Sequence, residues 1–167
     1  MKKILPTLIS IFMVAIIAII FISISKDNGP TTIVEGNTMM RALDIDINHT
    51  NDTQCAMIIS SIENTAQLVA PDGRTWFFDD PGCMVLWMKD KPFKDKAKLW
   101  VHTIDTKKWI DAREAYYWVA DRTAMHYGFG SRKNRIDGSI DFDEMYLRML
   151  RGENLTNPKI RKKLLGI

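Results

Sequence analysis

The stretch AQLVAPDGRTWFF, residues 66–78, decides the fold that the sequence predicts. Two runs rich in strand-forming residues, 66–70 and 74–78, flank Pro71-Asp72-Gly73, whose residue types favour a tight turn. The chain continues with Asp79-Asp80-Pro81-Gly82, where an acid can cap a helix and a proline suits the first turn. The stretch therefore predicts a β-hairpin followed by a short helix, with both aspartates as capping residues. The alternative for Asp79 and Asp80 is a pair that binds a hard metal ion or performs acid/base chemistry.

A second unit of the same kind is predicted further along the chain. Residues 98–104 form a predicted strand, 105–108 a turn, and 115–120 a partner strand rich in aromatic residues. The spacing of apolar side chains predicts a last helix at 142–150. Upstream, apolar and acidic residues alternate at 43–47, which suits a half-buried strand or an extended lead-in. The predicted fold is α+β, a small antiparallel-sheet domain built from two strand-hairpin and helix units.

An apolar segment, residues 4–24, precedes this domain. Its length meets the roughly 20 residues that a helix needs to cross a bilayer, and Lys2 and Lys3 indicate the cytoplasmic side. A cleavable signal peptide is the alternative, because Ser23-Ile24-Ser25 offers small residues to a peptidase. The run exceeds the usual signal-peptide core of about 7 to 15 residues. We therefore expect a retained transmembrane helix in the inner membrane, a single pass, and the remaining domain in the periplasm.

The length of 167 residues allows one domain beside this segment. The predicted organisation is an N-terminal membrane anchor or signal peptide at 1–25, a polar linker at 26–37, a folded domain at 38–150 and a basic tail at 151–167. A cluster of cations near the C-terminus indicates a solvated helix or a surface for anionic lipid or an acidic partner. No nucleic-acid motif accompanies it. The cluster contains Arg148, Arg151, Lys159, Arg161, Lys162 and Lys163.

The two cysteines, Cys55 and Cys83, allow two incompatible interpretations. Cys55-Ala56-Met57 pairs a thiol with a thioether, and such soft donors suit Cu(I). In an oxidising compartment the two cysteines could instead form a disulfide. A cysteine in a disulfide cannot be a thiolate ligand, so the two interpretations exclude each other.

Six short motifs follow one another in a fixed order between Thr53 and Gly130. In this order they resemble the NosL family, the accessory copper chaperones of nitrous oxide reductase. The resemblance implies Cu(I) as the bound metal and nitrous oxide reductase, with its membrane maturation and transport machinery, as partners. The motifs are Cys55-Ala-Met57, Ala66-Gln-Leu68, Phe77-Phe-Asp-Asp80 with Met84, Trp109-Ile-Asp-Ala112, Glu114-Ala-Tyr-Tyr-Trp-Val119, and Thr123-Ala-Met125 with Gly128-Phe129.

The same resemblance implies a set of metal ligands. In that family a Cys-Gly-Met motif and a later Met-x-His motif supply Cu(I) ligands. Cys55 and Met57 fall on the first motif, with alanine in place of glycine, and Met125 falls on the methionine of the second. Tyr127 occupies the family's histidine position and His126 lies one residue early, which on a strand is the opposite face but in a loop is not. The expected ligands are therefore Cys55, Met57, Met125 and His126.

The function that the resemblance implies, together with the expected anchor, is a membrane-anchored periplasmic metallochaperone that delivers Cu(I) to an extracytoplasmic copper enzyme. The alternative is a non-metal assembly or interaction module stapled by a disulfide between Cys55 and Cys83. No set of nucleophile, base and orienting residue is evident, so we do not expect an enzyme.

Overall fold

A computed structural model describes residues 4–27 and 29–166, with the side chains of 8–23 and 29–166. The chain divides into two units, residues 1–30 and 31–167. The first contains one helix, α1 (Ile4–Asp27). The second is an α+β domain with two antiparallel sheets, as the sequence predicts.

The larger sheet has five strands in the order β1-β3-β2-β4-β5, and every neighbouring pair is antiparallel. The smaller sheet has β6 between β7 and β8. The strands are β1 (Ile33–Val34), β2 (Ala66–Val69), β3 (Thr75–Phe78), β4 (Lys98–His102), β5 (Trp109–Asp111), β6 (Tyr116–Trp118), β7 (Gly130–Arg132) and β8 (Ser139–Ile140). The helices are α2 (Pro81–Met88), a 3₁₀ turn (Ala112–Glu114), α3 (Phe142–Leu150) and α4 (Pro158–Leu165).

The predicted hairpin is confirmed and forms the centre of the domain. Ala66 pairs with Phe78, and Val69 with Thr75, across the turn at 71–73. Every residue of β2 and β3 is buried. Both faces of the larger sheet are buried. On one face Trp76 and Phe78 pack in the main core with α2 and α3, and on the other Phe77 packs in a second cluster. That second cluster also contains Ile45 and Ile59, with Leu43, Ile47, Val34 and Trp109 against it.

Residues 43–47 form no strand. Of the two predicted alternatives, the extended lead-in is the correct one. Its anchor is the buried side chain of Gln67, which accepts a hydrogen bond from the backbone N–H of Leu43 at 2.9 Å and donates to the Leu43 carbonyl at 2.6 Å. The lead-in thereby crosses the face of the sheet that carries Phe77 and closes the second cluster.

The predicted second hairpin is wrong. β4 pairs with β2 and with β5, a short strand at 109–111 that the sequence analysis missed, and the aromatic strand β6 belongs to the smaller sheet. The 3₁₀ turn Ala112–Glu114 separates β5 from β6. Because Asp111 caps that turn by accepting from the backbone N–H of Arg113, the chain leaves the larger sheet before the aromatic residues are reached.

The predicted transmembrane anchor is also wrong. Within residues 4–27 and 29–166, no helix combines the length and the apolar character needed to cross a membrane. The prediction of a single-pass inner-membrane protein, attached to the membrane through this helix, is overturned with it.

Candidate metal centre

Four side chains converge between the larger sheet and α2. Asp52, Cys55, Asp79 and Cys83 each offer one ligand atom, and these atoms all lie within 4.8 Å of one another. Asp52 and Cys55 belong to the turn before β2, Asp79 follows β3, and Cys83 lies in the first turn of α2. The group has the donors and the spacing to hold a metal ion.

Asp52 joins the two halves of this group. Its Oδ1 accepts hydrogen bonds from the backbone N–H groups of Gln54 and Cys55, at 2.6 and 2.8 Å. Its Oδ2 accepts from the backbone N–H of Asp79 at 2.8 Å. Asp52 is almost fully buried, so these bonds fix the cysteine-bearing turn against the end of β3.

Asp79 has an unsatisfied oxygen. Its Oδ1 is buried and has no hydrogen-bond partner within the described part of the chain, and the residue is 5% exposed. Burial raises the pKa of Asp79 above its ordinary value, and the neighbouring carboxylate of Asp52 raises it further. A buried carboxylate oxygen without a donor is costly, and a bound cation would remove that cost.

The two cysteines differ in their access to solvent. Cys83 is fully buried in the core, whereas Cys55 is partly exposed. Burial raises the pKa of Cys55 to about 11, and the charges of Asp52 and Asp79 act in the same direction. Burial likewise raises the pKa of Cys83 far above its ordinary value, and the charges of Asp52, Asp80 and Asp79 act in the same direction. Without a metal ion both side chains are therefore neutral thiols at neutral pH.

Asp80 has a different role from its neighbour, although the sequence suggests the same capping function for both. It is the N-cap of α2, with Oδ1 accepting from the backbone N–H of Gly82 at 2.8 Å. Its Oδ2 accepts from the backbone N–H of Met125 at 3.2 Å. Asp80 therefore ties the loop that carries Met125 and His126 to the helix that carries Cys83.

A cavity of about 470 Å³ reaches this group from the surface. Its walls include Asp79, Met57 and His126, so two of the expected ligands line a space that also reaches the metal group. Met57 is 50% exposed. His126 lies in a loop with φ of 57°, so the loop alternative for this segment is the correct one and the one-residue offset does not fix the direction of its side chain.

The structure separates the side chains of Cys55 and Met57. An extended backbone would place residues i and i+2 on one face, but Ala56 has φ of 62° and closes a turn. Cys55 packs against the main core, while Met57 points into the cavity. Met125 is partly buried and packs on the same core as Cys55.

Both cysteines are free thiols, so the disulfide of the alternative interpretation is not formed. Sequence reasoning missed Asp52, Asp79 and Cys83 as partners of Cys55 in one metal group. A usable signal was the repetition of an acid and a cysteine at nearly equal spacing, Asp52-x-x-Cys55 and Asp79-x-x-x-Cys83.

Comparison of the chain with protein-family models gives no match, and comparison with curated proteins gives none either.

Proposed function

We propose that the protein is a metallochaperone that holds one Cu(I) ion between the thiolates of Cys55 and Cys83. The observation that carries this proposal is the convergence of four ligand atoms within 4.8 Å, one of them on the buried carboxylate of Asp79, whose Oδ1 has no hydrogen-bond partner among the residues that the structure describes. Without a cation both thiols stay protonated, and a bound metal ion stabilises their thiolate forms.

The donor types select the class of metal. Thiolates favour soft ions such as Cu(I) and also suit Zn(II), whereas Ca²⁺ and Mg²⁺ require oxygen ligands throughout. Two thiolates suffice for Cu(I), which accepts low coordination numbers, and Asp79 is the candidate third donor. Asp52 already accepts three backbone hydrogen bonds, which makes it a positioning residue. The resemblance to NosL proteins favours copper over zinc.

Transfer of the ion requires donors that an acceptor can reach. Cys55 is partly exposed, and Met57 and His126 line the cavity whose wall includes Asp79. We assign to Met57 and His126 the role of temporary ligands on this route, and Met125 is the candidate for a third sulfur at the site. The resemblance makes nitrous oxide reductase the candidate acceptor.

Titration of the full chain with Cu(I), against a coloured Cu(I) chelator and without oxygen, tests the proposal. We expect one ion per chain, and a loss of at least about 100-fold in affinity in Cys55→Ser and in Cys83→Ala. Met39→Leu, which alters an exposed methionine outside the four-residue group, is the matched control and retains the affinity. Unchanged affinity in Cys83→Ala would refute the two-thiolate site, and tighter binding of Zn(II) than of Cu(I) would refute the copper assignment.

A further inference from the structure

A second cavity, of about 190 Å³, lies between the loop before Met125 and the C-terminal helix α4. Arg122 and His126 line this cavity and also the larger one, so the two cavities share a wall. The remaining walls are Ala120, Asp121, Leu155, Arg161 and Leu165.

The cavity has an excess of positive charge. Within the described part of the chain, the guanidinium groups of Arg122 and Arg161 have no hydrogen-bond or ion-pair partner, and both residues are exposed. The carboxylate in the wall, Asp121, does not neutralise them because it forms a mostly buried ion pair with Arg132. α4 itself contains four cations and no acidic residue.

We propose that this cavity binds a carboxylate-bearing segment of an acidic partner protein. Two unpaired guanidiniums provide the planar donors that hold a carboxylate by paired hydrogen bonds. Leu155 and Leu165 provide apolar contact for the methylene groups of a glutamate or aspartate side chain. The excess charge also attracts an acidic segment before contact.

A protein partner fits this surface better than an anionic membrane. A helix that binds a lipid surface inserts a fully accessible apolar face. Leu155 and Leu165 line the cavity, so the apolar surface available here is the wall of a concave space. This space is open to solvent on one side and bounded by a loop and by α4, which suits an inserted side chain.

The partner's role rests on the proposed function. Because Arg122 and His126 form the wall shared with the cavity that reaches Asp79, a segment bound here lies beside the metal route. The acidic partner is therefore the protein that receives the metal ion.

Binding of a fluorescein-labelled hexaglutamate peptide to the full chain, followed by fluorescence anisotropy at low salt, tests this inference. We expect binding that weakens at least about tenfold in Arg161→Glu and in Arg122→Glu, because each removes paired charge-assisted hydrogen bonds. Lys162→Glu is the matched control: it makes the same charge change on α4 outside both cavities and weakens binding by about threefold or less. A hexaglutamine peptide does not bind.

Three results would overturn the inference. Equal losses in Arg161→Glu and Lys162→Glu would show diffuse charge attraction instead of a cavity. Equal binding of hexaglutamine would remove the role of the carboxylate. Binding to phosphatidylcholine and phosphatidylserine vesicles without binding of the peptide would identify a lipid surface. Cu(I) titration of Arg161→Glu is unaffected in either case, so failure here is distinct from failure of the metal site.

Discussion

The carboxylate of Asp52 accepts a hydrogen bond from the backbone N–H of Asp79 at 2.8 Å, across 27 residues of sequence. This bond joins the turn that presents Cys55 to the segment that presents Asp79 and then Cys83. The placement of Cys55 next to Cys83 therefore depends on Asp52, which need not bind the ion itself. Positioning of this kind is a common requirement of metal sites.

Asp52→Asn is expected to lower both stability and metal affinity. The asparagine amide cannot accept from Gln54 and Cys55 on one side and from Asp79 on the other, since one of its two terminal atoms is a donor. We expect a loss of about 1–3 kcal/mol in the free energy of unfolding, measured with urea. Asp44→Asn, an exposed acid in the lead-in, is the control and stays within about 0.5 kcal/mol of the wild type. Equal stability of both variants would refute the positioning role.

Gly82→Ala is expected to displace the loop that carries Met125 and His126. A Cβ at Gly82 would lie 2.5 Å from Tyr127 Cδ2 and 3.1 Å from Met149 Sδ, which requires the tyrosine ring to move. The expected cost is about 1–3 kcal/mol in thermal or urea unfolding. Gly29→Ala, where a Cβ meets nothing within 4 Å, is the control. Near-equal unfolding curves for the two alanine variants would show that this contact is not tight in solution.

Metal affinity is expected to rise with pH. Burial raises the pKa of Cys55 to about 11 and that of Cys83 further, so both thiols are protonated between pH 6 and 8 and lose protons on binding. Each released proton makes the apparent Kd fall about tenfold per pH unit, or about 100-fold for both thiols. Competition titrations across this range measure the slope. His126→Ala leaves it unchanged, whereas a slope near zero in the wild-type protein would exclude thiol ligands.

The sequence predicts the centre of the domain well, because local rules govern it. The Pro71-Asp72-Gly73 turn specifies the hairpin, and Asp80 with Pro81 specifies the start of α2. The pairing of the aromatic strand β6 was mispredicted because β-forming residues do not identify their partner strand. The 3₁₀ turn at Ala112–Glu114, which redirects the chain, has no strong local signal.

The metal group was predictable only in part. Cys55 was identified from its soft donor and its neighbour Met57, but the positive φ of Ala56 is rare for alanine and separates the two side chains. The contribution of Asp52 rests on a contact with Asp79 that no short-range pattern reports. The alternative interpretation pairs Cys83 with Cys55 in a disulfide, whereas the structure has both as free thiols whose sulfur atoms lie within 4.8 Å of each other.

Oxidation is expected to abolish metal binding through these same cysteines. The two Sγ atoms lie within 4.8 Å of each other. With glutathione disulfide as oxidant, the Cys55 thiolate displaces one glutathione thiolate, and the Cys83 thiolate then displaces the second from the mixed disulfide. The reaction is slow at neutral pH, since both pKa values are raised, and accelerates at higher pH.

Mass spectrometry of peptides after oxidation would show the Cys55–Cys83 disulfide, and preloading with Cu(I) should protect both thiols. A mixed disulfide that persists on Cys55 alone would contradict the geometry, and Cys83→Ala is the control in which only that species can form.

X-ray absorption at the copper edge of the Cu(I)-loaded full chain tests the two-cysteine site most directly, because it reports the ligands of the ion itself. We expect two thiolate sulfurs in the wild-type protein and one in Cys83→Ala, with no change in Met57→Leu. The two-cysteine site would be contradicted by a wild-type spectrum with one thiolate and with thioether or imidazole donors. These donors would disappear in Met57→Leu, Met125→Leu or His126→Ala.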